Sequence, residues 1–268
     1  MKTPPKFATE ADLCTAFLAW VNASAGKYRY GVQCPAWTPY AETAGWDILL
    51  TAADGTQIGV QAKLKFNLKV LDQCLPSSWE SWRQEGPDFR AILVPDADAS
   101  AENLCRALGL ILFRPRGRLY ARHGEGFEDW EFMPGLDLED HNGGWHYWSP
   151  ERRHKLPDFV PDVQAGASGP VQLTKWKVAA LRIVARLELA GHVTRGDFRE
   201  LGLDPRRWIG PDGWLKTTDT PGQFVAGPGL NLAQQHPGVY PQVLAAERDK
   251  LAARAPAQTS LIPESTPA

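Results

Sequence analysis

Residues Trp46 to Gln73, WDILLTAADGTQIGVQAKLKFNLKVLDQ, decide how this chain folds. An apolar run broken only by Asp47 leads into Ala53-Asp54-Gly55-Thr56. Ile58, Val60, Ala62 and Leu64 then alternate with Gly59, Gln61 and Lys63. Asp-Gly between two β-prone runs is a strong hairpin signal. The alternation predicts one apolar face and one face carrying Gln61 and Lys63. An amide and an ammonium on a buried strand cost free energy unless they are paired. Two readings follow: an edge hairpin with one solvated face, or a polar site. Parity separates them, because residues directly opposite in a hairpin share a face. With a two-residue Asp54-Gly55 loop, Asp47 falls opposite Ala62 and points away from Lys63. With a three-residue loop ending in a left-handed Gly55, or a single bulge, it falls opposite Gln61. The site reading therefore requires an odd loop or a bulge.

Outward from this hairpin, helical and extended patterns alternate. Thr9 with Asp12 makes a capping box for a helix whose stripe is Leu13, Ala16, Phe17, Trp20 and Val21. Glu10 sits at the end of that stripe and can point toward the sheet, or can simply favour the helix N-terminus. Residues 27–45 read as a short strand and a Pro-punctuated loop, in which Glu42 is near enough to compete with Glu10 as an auxiliary acid but reads first as a loop residue. After Lys63, Phe66 to Leu75 reads as a helix stopped by Pro76. Phe89 to Pro95 is a core strand, Ala101 to Gly109 a helix and Leu110 to Phe113 a strand, followed by a Pro115-Arg116-Gly117 turn. Strand, helix, strand at this spacing adds a parallel crossover to the antiparallel hairpin, so the expected class is α/β with a mixed sheet flanked by helices. Arg114, Arg116, Arg118 and Arg122 gather near the turn; Arg116 and Arg118 are candidates for phosphate contact.

Asp47, then Gln61-Ala62-Lys63 on the next strand, then a helix, resembles the PD-(D/E)XK phosphodiesterase superfamily, in the Gln-x-Lys form of Mrr-like restriction nucleases. Leu64 to Leu68 and Gln73 are similar to PD-(D/E)XK-type phosphodiesterases of unknown function, in which a winged helix follows the nuclease fold. The chain departs from the pattern at Gly45-Trp46, where a Pro is common. The resemblance implies a restriction-endonuclease-like fold over 1–125 and a catalytic set of Asp47, Gln61, Lys63 and Glu10. It implies metal held by Asp47, Gln61 and the backbone of Ala62, with Gln73 as an auxiliary residue. Carboxylate and carbonyl oxygens are hard ligands that suit Mg²⁺ or Mn²⁺. Lys63 would orient or deprotonate water, or neutralise phosphate.

The chain has 268 residues, room for two domains. Residues 126–170 are rich in acids, glycine, proline and aromatics, including Trp145-His146-Tyr147-Trp148, and read as an extension and linker. His141, His146 and His154 lack metal-ligand spacing. Residues 171–253 carry helix signals at Thr174, Thr194 and Asp204-Pro205, then a hairpin around a Thr-Asp-Thr-Pro-Gly turn and a last helix from Pro241. That order reads as a small winged helix-turn-helix domain with Arg206 and Arg207 opening a DNA-contacting helix. Residues 254–268 read as a disordered tail.

The net charge of −2 excludes nucleic-acid binding by bulk charge but leaves room for a local basic face. Four scattered cysteines without Cys-x-x-Cys, and no apolar run of membrane-spanning length, predict a cytoplasmic protein without disulfides and no membrane partner. The expectation is a metal-dependent deoxyribonuclease with an attached DNA-binding domain. The alternative is a nuclease-fold regulator that binds DNA or a protein without cutting. A homodimer or a protein partner is compatible with either.

Overall fold

The computed structural model describes residues 6–29, 31–76, 85–117, 130–138, 145–167, 173–210 and 212–254. The chain forms two compact units, residues 1–172 and 173–268. The first is α/β. Helix α1 (Glu10–Ser24) starts at the expected capping box: Thr9 Oγ1 accepts from Asp12 N–H at 3.1 Å, and Asp12 Oδ2 from Thr9 N–H at 2.9 Å. Its buried stripe is Leu13, Cys14, Phe17 and Val21. A small hairpin, β1 (Tyr28–Arg29) and β2 (Val32–Gln33), follows.

The main sheet holds β3 (Trp37–Thr43), β4 (Trp46–Ala52), β5 (Gln57–Ala62), β6 (Phe89–Leu93), β7 (Ile111–Gly117) and β8 (Trp130–Met133) in that spatial order. The β3–β4, β4–β5 and β7–β8 pairs are antiparallel; β5–β6 and β6–β7 are parallel. The parallel steps are made by α2 (Leu68–Cys74) and α3 (Ala99–Ala107), as crossovers require. Asn67 and Asp98 cap these helices by accepting from Val70 and Ala101 N–H.

Sheet parity sorts the core. Ile48, Leu50, Ile58, Val60 and Ala62 pack with the α1 stripe and Phe113, while Leu49, Ile92 and Val94 pack with Val70, Leu71 and Cys105. Each fully buried Ile, Leu or Val here contributes about 1.5–3 kcal/mol by leaving water. Strands β4, β5 and β6 are thus covered on both faces, and among the polar side chains they bury, Gln57, Gln61 and Arg90 are hydrogen-bonded.

Three expectations are corrected. The Pro-rich loop before Asp47 is in fact β3, an edge strand; Pro39 is tolerated because an edge strand has a side on which no N–H is needed. The turn at Pro115-Arg116-Gly117 is the continuation of β7, held by β8 with Arg116 opposite Glu131. Arg118 and Arg122 lie outside the described residues.

The third correction concerns residues 126–170. Read as an extension and linker, their described parts pack as an extension of the first unit. β8 extends the sheet, and residues 145–167 strap across the unit. Trp145 packs edge-on against Phe89, centroids 5.2 Å apart, and Trp148 Nε1 donates to Gly109 O at 3.1 Å. Gln57 and His154 exchange hydrogen bonds: Gln57 Nε2 donates to His154 O at 2.8 Å, and His154 N–H to Gln57 Oε1 at 2.9 Å. The buried Arg90 lies over the rings of Trp46 and Trp148, 5.8 and 4.9 Å from their centroids.

The second unit runs α4 (Lys175–Ala190), β9 (Val193–Thr194), α5 (Arg195–Glu200), a 3-10 turn (Pro205–Arg207), β10 (Leu215–Thr217), β11 (Gln223–Ala226), α6 (Leu232–Gln235) and α7 (Tyr240–Arg254). The sheet order is β10-β11-β9. The expected third helix is only this 3-10 turn. Gly210-Pro211 comes within four residues of its end, which disfavours a longer helix, and Trp208 is buried against Phe198. The expected tail beyond Arg254 lies outside the described residues. Among the described residues, no helix is long and apolar enough to cross a membrane.

Candidate functional site

The β4–β5 hairpin meets the parity condition. Ile48 pairs with Val60 and Thr51 with Gln57, and Ala52 N–H donates to Thr56 O at 2.9 Å. The loop is therefore Ala53-Asp54-Gly55, three residues ending in Gly55 at φ 84°. Asp54 braces it, its carboxylate accepting from Thr56 N–H and Oγ1, both at 2.9 Å. The pairing ends at Ile48–Val60, and Asp47 is the next residue beyond it on β4.

At that point the backbone ladder gives way to side chains. Lys63 N–H donates to Leu93 O at 2.9 Å, so the N–H of Ala62 points the other way, and Asp47 Oδ2 accepts it at 2.7 Å. The Asp47 carboxylate stands where a strand carbonyl would be. Gln61, almost fully buried, donates from Nε2 to Gly45 O at 2.6 Å and so fixes the turn that carries Asp47. Lys63 Nζ lies 2.8 Å from Glu10 Oε2, tying the hairpin to the first turn of α1.

A third carboxylate belongs here. Glu42, at the end of β3, adopts φ 48°, a left-handed conformation costly for a non-glycine residue. Its Oε1 accepts from Gly166 N–H at 2.8 Å. Gly166 has φ +70°, and a Cβ on it would lie 3.0 Å from Cys14 Sγ and 3.1 Å from the backbone of Glu10. Only glycine lets the strap approach α1 this closely.

The electrostatics are those of crowded acids. Burial pushes the Asp47 carboxyl above its usual range and Glu10 adds to this, while the Ala62 N–H and Lys63 oppose it. Burial also raises Glu42, with Asp47 contributing and the Gly166 N–H opposing. The Cys14 thiol is pushed up to about 12, first by burial and then by Asp47, Glu42 and Glu10, so it stays protonated and unreactive.

Of the residues expected from sequence, Asp47, Ala62, Lys63 and Glu10 come together, with Gln61 beside them. Gln73 is exposed on α2 and makes no hydrogen bond to Asp47, Gln61 or Lys63. Arg116 is exposed on β7, apart from this group in sequence and strand. Arg206 and Arg207 are exposed in the second unit, where Arg206 pairs with Asp204 at 2.8 Å. Sequence reasoning underweighted Glu42 and did not single out Cys14 or Gly166. Only the strain-prone Glu42-Thr43-Ala44-Gly45 turn could have signalled Glu42.

Among the described residues, no three His, Cys, Asp or Glu side chains are grouped so as to hold a metal ion. The donors present are hard oxygens. Mg²⁺ commonly takes one or two carboxylates and fills its octahedron with water and substrate phosphate. Asp47 together with the Ala62 carbonyl, which in strand geometry opens to the same side as the Ala62 N–H, fits that pattern. A Zn²⁺ site, needing three or four protein ligands, does not fit.

Comparison of the chain with protein-family models, with curated proteins and with solved structures gave no match.

Proposed function

We propose that the first unit hydrolyses phosphodiester bonds in DNA with the help of Mg²⁺ or Mn²⁺, and that the second unit holds the substrate. The observation that carries this reading is the meeting of Asp47, Glu10 and Lys63 where the β4–β5 ladder ends. Asp47 and the Ala62 carbonyl would hold the ion, with Gln61 keeping the turn in place. The ion would supply positive charge to the phosphate oxygens. Lys63, released from Glu10 as the phosphate enters, would neutralise phosphate charge or orient the attacking water. Glu10, freed in the same step, would accept the proton that this water loses. The order helix, strand, helix, turn, hairpin in the second unit supports a winged-helix DNA-binding role. Four buried cysteines, none in a disulfide, suit the reducing cytoplasm.

Because burial raises Asp47, its ionised form is lost on acidification earlier than that of an ordinary carboxylate. Binding of the ion should therefore weaken on acidification, because protons and the cation compete for this carboxylate. The test is cleavage of linear, circular, branched and single-stranded DNA in Mg²⁺ or Mn²⁺, comparing wild type with Asp47→Asn. Metal-dependent cutting lowered by about a hundredfold or more in the variant is the expected result. Equal rates in the two proteins would remove the basis of the proposal.

A second reading is a nuclease-like fold that binds DNA or a protein partner without cutting. An amide at Gln61, where the resembling nucleases more often carry a carboxylate, and its use in bracing Gly45 O favour it. Intact DNA after incubation, with binding retained, would select it.

A further inference from the structure

The expected DNA-reading helix of the second unit is a single 3-10 turn, and one of its two arginines is already paired with Asp204. The same turn ends at a different surface. Trp208 closes a cluster with Trp176 at 6.2 Å and Trp214 at 5.0 Å, and Trp176 lies 6.4 Å from Trp214. Trp208 is buried under Phe198, but Trp176 is 48% exposed and the adjoining Ile209 38%. A tryptophan half out of water on the first turn of a helix is costly to leave bare, and its ring is held by two others.

The residues near in sequence to the three tryptophans carry one sign of charge in excess. Those segments hold Lys175, Lys177, Arg206, Arg207 and Lys216 against Asp204 and Asp212. The unit as a whole, residues 173–268, has 12 Lys and Arg against 9 Asp and Glu, although the chain is acidic. Three of those acids, Asp197, Glu200 and Glu247, are spent on the buried Arg186. The surface left over is more basic than the count.

We propose that the Trp176–Trp208–Trp214 face binds single-stranded nucleic acid, with an unpaired base stacking on Trp176 and the flanking Lys and Arg side chains taking the phosphates. Exposed aromatics interleaved with cations are how proteins hold single strands, since every base has a π-face and every linkage a charge. A duplex hides its base faces and offers this surface only phosphates. The inference rests on the reading of the second unit as the substrate-holding part and changes which surface does the holding.

The test is fluorescence polarisation of labelled oligothymidine, oligouridine and a DNA duplex with the full chain in EDTA, so that cleavage plays no part. Wild type should bind the single strands more tightly than the duplex, with affinity falling as salt rises. Trp176→Ala should weaken single-strand binding at least about fivefold, and Trp176→Phe should restore most of it. Comparing the thymidine and uridine strands tells whether DNA or RNA is preferred. Equal binding by wild type and Trp176→Ala would overturn the proposal while leaving DNA binding elsewhere on the unit intact. No binding of any strand would overturn it together with the substrate-holding role, and would assign the aromatic face to a protein partner.

Discussion

Each unit of this protein sets one cation among three carboxylates, and the two arrangements are opposite in character. In the second unit, Arg186 is 3% exposed and its guanidinium is matched: Nε donates to Glu247 at 2.8 Å, Nη1 to Asp197 at 2.7 Å and Nη2 to Glu200 at 2.9 Å. These bonds join α4, α5 and α7; against the upward pull of burial, the Thr194 hydroxyl and N–H, and after them Arg186, hold Asp197 below the usual carboxylate range. In the first unit, among the described residues, Lys63 makes its ion pair with Glu10 alone. Asp47 and Glu42 are instead held by backbone N–H groups and sit above their usual range. A planar fork saturated by carboxylates is a joint. An ammonium with one partner, beside acids still short of positive charge, is a place where a cation and a phosphate could both be accommodated.

The comparison breaks most easily at Arg186. Arg186→Met should cost about 3 kcal/mol or more in urea unfolding, because it leaves the buried Glu247 facing only the more distant Arg182 and Lys250, at 3.8 and 3.7 Å. A loss below about 1 kcal/mol would show that the network is not a structural joint. The matching change in the first unit, Lys63→Met, should cost only about 0–1 kcal/mol, since the Lys63–Glu10 pair is partly open to water. A loss as large as that for Arg186 would make Lys63 a joint as well.

The smallest expected effect lies in the strap. His154 Nε2 accepts from Trp46 Nε1–H at 3.1 Å, which leaves the proton on Nδ1, facing Glu85 at 3.3 Å. Burial lowers its pKa against the opposing pull of Glu85. The unfolded chain therefore takes up a proton before the folded one does, and stability rises with pH through this window. Stability should be full above about pH 6.5 and decline below it, in the range where carboxylates are still ionised. Thermal melts of wild type and His154→Gln between about pH 5 and 8 check this, with the slope expected to flatten in the variant. An unchanged slope would place the titration elsewhere.

Much of this was legible in the sequence because local chemistry and global fold agree. Asp54-Gly55 set the hairpin, and the left-handed Gly55 supplied the odd loop that brings Asp47 to the end of β5, at the Ala62 N–H. Thr9 and Asp12 fixed the start of α1, and with it Glu10. What the sequence hid depends on contacts distant in the chain. β3 was obscured by Pro39, because edge position is a property of the sheet and not of the segment. The strap looked like a linker because its Trp, His and Arg residues have no period, and their partners Gly109, Gln57 and Asp88 lie far off in sequence. Glu42 gained its place only through Gly166, 124 residues away. The third helix failed where Trp208 was drawn into an aromatic cluster that propensity could not foresee.

The most direct test of the central claim is single-turnover DNA cleavage by Lys63→Met in Mg²⁺ or Mn²⁺, made on protein whose unfolding midpoint matches wild type. A rate about a hundredfold or more below wild type, at unchanged stability, is the result expected if Lys63 serves chemistry and Arg186 serves structure. A wild-type rate in that variant would contradict the assignment of the Asp47–Lys63 group as the active site.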